Sequence, residues 1–134
     1  MKVTELLMEG ISKKDTFNIL LEFIRFAADH LELKQLPKFD FKFDTSRSVE
    51  HHSFGGYGDQ HITITVVNRH IMDVCRTLAH ELVHFKQDLD NQLDSPDAGA
   101  TGSPQENEAN AEAAVIMRNW GKLHPKLFDL ESIL

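Results

Sequence analysis

In "SKKDTFNILLEFIRFAADHLEL" the apolar residues Phe17, Leu20, Leu21, Ile24, Ala27, Ala28 and Leu31 recur at spacings of three and four, which predicts an amphipathic helix. Ser12 with Asp15 three residues on is a start signal, and Pro37 is the stop. The period then changes to two. "KFDFKFD" sets Phe39, Phe41 and Phe43 against Lys38, Asp40, Lys42 and Asp44, and "HITITVV" sets Ile62, Ile64 and Val66 against Thr63, Thr65 and Val67; both read as half-buried strands. Between them, Gly55, Gly56, Gly58 and Asp59 read as turn chemistry, with a short strand around His52 to Phe54 as a candidate partner. Residues 71 to 90 predict a second long helix and residues 104 to 120 a third, with "KLHPKLFDLESIL" as a short amphipathic tail. The loop "NQLDSPDAGATGSP" between them is, at about fourteen residues, long enough to carry function.

These elements fit one domain over residues 1–134, a length that supports a single core. With 41% apolar and 26% charged residues the chain has the composition of a globular domain. A net charge of -7 without a basic stripe excludes a nucleic-acid footprint. Glu5 and Glu9 interrupt the apolar N-terminal stretch, so neither a signal-peptide core nor a membrane span is expected, and the expected location is cytoplasmic. Cys75 is the one cysteine, which excludes an intramolecular disulfide and a thiolate metal cage and reads as a buried thiol.

The second helix contains "LAHELVHFKQ". A chain with 8 His meets HExxH by accident in roughly 3 of 100 cases, so the context of the motif has to decide. At 100° per residue Ile71, Val74, Cys75, Leu78, Leu82, Phe85 and Leu89 fall within an arc of about 100°, while His80 and His84 lie roughly 180° and 220° from Ile71. The histidines therefore do not belong to this apolar stripe. Residues four apart stand about 6 Å from each other, so two imidazoles can converge on one zinc ion at about 2.0 to 2.1 Å. A catalytic site also needs a third ligand and a water; Glu81 is placed to take that water's proton, or else is a solvated helix glutamate.

In "SPQENEANAEAAVIMRNW" helix phase separates three glutamates. Glu106 points with Ala109, Ala113, Ile116, Met117 and Trp120, whereas Glu108 and Glu112 fall about 200° and 240° away from it. Ser103, Pro104 and Glu106 also spell a capping box, so Glu106 is either the third ligand or a cap.

"HELVH" followed 22 positions after His84 by "ENEANAEA" resembles the gluzincin class of zinc metallopeptidases, which includes thermolysin and the ImmA/IrrE-type peptidases. There the third ligand opens an ExxA(D/N)xxA helix motif, which maps onto Glu106, with Ala109, Asn110 and Ala113 in the later positions. The whole chain, through "SFGGYGDQHITI", "AHELVHFKQ" and "GATGSPQENEAN", is also similar to small metallopeptidase-like proteins of tailed, T4-like bacteriophages. Many relatives carry Asp where this chain has Asn110; that residue bonds a ligating histidine, and an amide does so without charge. Relatives stabilise the oxyanion with Tyr, His or Arg, which makes Tyr57, His61 and His70 candidates beside their plainer readings as a turn tyrosine and solvated histidines.

The resemblance implies a small zincin-like α+β domain with a long N-terminal helix, a twisted sheet of about three strands ending in residues 61 to 67, an HExxH helix and a third-ligand helix. It implies a zinc-dependent endopeptidase or amidase in which His80, His84 and Glu106 hold the metal and Glu81 is the general base. A polypeptide or peptidoglycan would be the substrate, paired with the strand at 61 to 67 as a sheet edge. Partners would be phage virion components, and the location the host cytoplasm or the virion, with neither nucleic acid nor membrane involved. The alternative is a phage structural or interaction protein whose zinc only locks two helices together.

Overall fold

The three-and-four spacing of the first apolar run forms helix α1, Lys13–His30, in the computed structural model, which describes residues 13–43, 55–67, 69–93 and 102–128. Leu20, Phe23, Ile24, Ala27 and Leu31 are buried. The helix stops well before Pro37. Glu32 takes a left-handed φ of 57°, Leu33 N–H donates to the Ala28 carbonyl at 2.9 Å and Glu32 N–H to that of Asp29 at 3.1 Å. This pair of bonds satisfies the last carbonyls in the Schellman manner. The start signal expected at Ser12 lies outside the described residues.

The strands are β1, Lys38–Lys42, β2, Gly55–Gly58, and β3, His61–Thr65. Their order is β1-β3-β2, with β3 parallel to β1 and antiparallel to β2. Two expectations are corrected. The glycines at 55, 56 and 58 are in a strand, and the turn after them is made by Asp59 and Gln60, both at positive φ (51° and 57°), as the two central residues of a tight hairpin require. The strand at 61 to 65 is central, so its amides on both sides are engaged and it is no edge. β1 and β2 are the outer strands. The strand expected around His52 to Phe54 and residues 94–101 of the long loop lie outside the described residues.

Helix α2, Ile71–Leu89, packs against β2 and β3, against α1 and, most extensively, against helix α3, Pro104–Leu123; a short helix α4, Pro125–Phe128, follows. The described residues thus form an α+β arrangement of four helices and a small three-stranded mixed sheet. Ile62 and Ile64 of β3 are fully buried with Val74, Leu78 and Leu82 of α2; each such side chain stabilises the fold by about 1.5 to 3 kcal/mol. Ala109 and Ala113 are buried on α3, and their small side chains allow close approach of a neighbouring helix. Trp120 closes the far end, edge-on to Phe23 at 5.1 Å.

Candidate metal centre

His80 and His84 follow each other by one turn of α2, their rings 4.7 Å apart and nearly perpendicular. Their Nε2 atoms are 3.1 Å apart. Glu106 arrives from the first turn of α3, where Ser103 caps the helix by accepting from the Glu106 N–H at 3.1 Å and Pro104 holds the first position. The Ser103 half of the capping box is therefore formed, while the Glu106 carboxylate reaches the histidines. Its Oε1 lies 3.3 Å from His80 Nε2 and its Oε2 2.5 Å from His84 Nε2. One ligand atom from each of the three residues falls within 4.8 Å of the others.

Helix phase placed this pair away from the core. In the fold, α2 is buried on more than its apolar stripe: Ala79, Val83 and Gln87 are covered as fully as Leu78 and Leu82. The side that periodicity left open faces α3, and the histidines are half-buried beside it.

A side-chain amide holds the His84 imidazole. Asn110, one turn after Glu106 on α3, is close enough to His80 to favour its protonated form slightly. Gln87 Oε1 lies 2.8 Å from His84 Nδ1. Gln87 is 1% exposed and its Nε2 donates twice, to the Gln105 carbonyl at 3.0 Å and to Glu108 Oε1 at 2.8 Å. With both amide hydrogens committed, the oxygen accepts, so His84 carries its proton on Nδ1. Burial first, then neighbouring His84, hold the His80 imidazole below its ordinary range against the opposing pull of Glu106.

The donor set fits a divalent cation. A His84 ring with its proton on Nδ1 has no hydrogen at Nε2 to share with Glu106, so a second proton or a cation must close that contact. Ligands of a tetrahedral ion bonded at about 2.0 to 2.1 Å stand about 3.3 Å apart. Two of the three separations, 3.1 and 3.3 Å, are close to that value.

Glu81, next to His80, is not a solvated glutamate. It is 8% exposed, and burial, reinforced by Glu106 and opposed by His84, pushes its carboxyl up to about 7. Thr77, Glu81, His84 and Asp88 lie within about 60° on α2. Gly55 abuts Thr77, and the Tyr57 hydroxyl donates to Asp88 Oδ2 at 2.5 Å. The outer strand β2 therefore runs beside the stripe that holds Glu81.

The oxyanion candidates separate. Tyr57 is engaged by Asp88, and burial, reinforced by that carboxylate, raises its pKa. His70 caps α2, its Nδ1 accepting from the Met72 N–H at 3.0 Å. His61 is exposed at the start of β3. Glu108 is a correction: phase put it on the far side from the histidines, yet it is one amide away from His84. Phase fixes where a Cβ points, whereas two long side chains on adjacent helices can bridge around the contact. Gln87 itself escaped the sequence reading. Its signal was a polar residue three positions after His84, within one turn and so within reach of the ring. Glu112 pairs with His30 of α1 at 3.2 Å. Cys75 is buried and its pKa is raised by that burial.

No protein-family profile matches the chain, and neither a curated protein nor a solved structure matches it. No helix among the described residues is long and apolar enough to cross a membrane.

Proposed function

We propose that the chain is a zincin-like hydrolase that cleaves amide bonds of a polypeptide or of peptidoglycan, with zinc held by His80, His84 and Glu106. The observation that carries this reading is Glu81, a carboxyl buried one residue after His80 and close enough to His84 and Glu106 to feel the charge of both. A metal that only locks helices together has no use for a buried carboxyl beside it. When bound, the ion supplies Lewis acidity, lowering the pKa of water towards 7 and polarising a carbonyl oxygen.

Glu81 then does the proton work. Its carboxylate takes a proton from the attacking water and delivers it to the leaving amine. Gln87 orients the His84 imidazole without adding charge. The strand available to an extended substrate is β2 rather than residues 61 to 67, because β2 is outermost and lies along the Glu81 stripe.

The test is Glu81→Gln in zinc-loaded protein, read by metal content and by hydrolysis of a panel of denatured proteins and peptidoglycan. Retained zinc with lost turnover is expected. Wild type and variant that are equally inert across the panel would assign the zinc a structural role between α2 and α3.

A further inference from the structure

We propose that Gln87 is a positioning residue that selects the protonated nitrogen of His84, and that Glu108 in turn sets the direction of Gln87. Both roles rest on the metal reading above. A side-chain amide can face either way, and its two ends differ in what they offer a histidine: the oxygen accepts from N–H, whereas the NH₂ donates to a lone pair. Turned the other way, Gln87 would favour a proton on His84 Nε2, the atom that faces His80 and Glu106. That proton would stand where a metal has to bind.

The neighbours decide the direction. Gln87 Nε2 faces two acceptors, the Gln105 carbonyl at 3.0 Å and Glu108 Oε1 at 2.8 Å. Reversal would set its oxygen against both. Gln87 is 1% exposed, so water offers little compensation. The relay runs along α2 and then across to α3, His84 to Gln87 to Glu108, and Glu108 ends it at the surface on a polar cleft of about 200 Å³ that Lys86, Asp90 and Glu112 also line.

The experiment reads the tautomer and the metal separately. Long-range proton–nitrogen NMR spectra of metal-free protein report which nitrogen of His84 is protonated, and a zinc titration of the same samples reports affinity. Wild type should keep a proton on Nδ1, alone or together with a second one on Nε2 that faces Glu106. Gln87→Met, similar in length and without an acceptor, should shift His84 towards Nε2–H and weaken zinc binding by about tenfold or more. Glu108→Ala, at an exposed position that does not threaten the fold, should cause a smaller shift in the same direction. The swap Gln87→Glu with Glu108→Gln keeps an acceptor towards His84 and a donor across the helix gap but sets a carboxylate oxygen against the Gln105 carbonyl, so it should restore both readouts in part; Gln87→Glu alone sets oxygens against both neighbours and should restore less. An unchanged tautomer in Gln87→Met, or a changed tautomer with unchanged zinc affinity, overturns the proposal. Wild type that keeps the Nδ1–H form yet takes up no zinc sinks the metal reading and leaves the relay standing.

Discussion

The hydroxyl of Tyr57 donates to the carboxylate of Asp88 at 2.5 Å, tying the outer strand β2 to α2 one turn beyond His84. A hydrogen bond to a charged group contributes about 1.5 to 3 kcal/mol. Tyr57→Phe should therefore lower thermal stability by an amount in that range while leaving zinc affinity within about twofold, since neither residue belongs to the cluster. A large loss of zinc affinity would mean that the latch also shapes the centre.

Glu106 tests the assembly of the site from two helices. Glu106→Gln still permits the capping geometry but replaces the carboxylate that faces both histidines by a neutral amide, which on the proposed zinc reading is a poorer ligand. Zinc affinity should fall by an order of magnitude or more, as it should for His80→Ala and His84→Ala. The matched control is Glu112→Gln, whose parent pairs with exposed His30. Glu108 cannot serve because it bonds Gln87. Equal titration curves for the Glu106 and Glu112 variants would remove Glu106 from the metal.

Gly55 is held to glycine by α2. An added Cβ would sit 2.5 Å from Thr77 Cγ2 and 3.2 Å from Ile64 Cδ1. Gly55→Ala should cost about 1 to 3 kcal/mol by overpacking. Thr77→Ser removes the offending methyl yet keeps the hydroxyl that accepts from Arg69 at 2.6 Å and donates to the Asp73 carbonyl at 3.0 Å. Denaturant titration of the double variant should recover most of the loss, and a double variant no more stable than Gly55→Ala would place the clash elsewhere.

The raised carboxyl of Glu81 gives a pH signature in the metal-free protein. Its folded-state value of about 7 exceeds the ordinary 4.5, so the folded chain binds this proton more tightly than the unfolded one. The resulting stabilisation is full below about pH 4.5 and is lost as the pH rises to about 7. At 1.36 kcal/mol per pH unit the change is on the order of 3 kcal/mol. Glu81→Gln, uncharged throughout, should flatten that slope in thermal melts with chelator between pH 5 and 8. Parallel profiles for the two proteins would show that Glu81 titrates no differently in the folded state.

The sequence by itself determined the parts that local spacing encodes. Periods of 3.6 and 2 gave helices α1, α2 and α3 and strands β1 and β3 to within a few residues, because amphipathic periodicity is set by backbone geometry. The spacing of His80 and His84, and the inward phase of Glu106 with Ala109 and Ala113, were equally local and equally legible. Only the tertiary structure decided what lies opposite each of these faces. That β3 is central and β2 outermost follows from pairing order, which no single strand carries. Gly55 read as part of a turn because its reason, the close approach of Thr77, comes from a helix some twenty residues away in the chain. Gln87 and Glu108 read as ordinary polar residues for the same cause: their partners are on different helices, and the direction of a buried amide is fixed only when every donor and acceptor around it is in place.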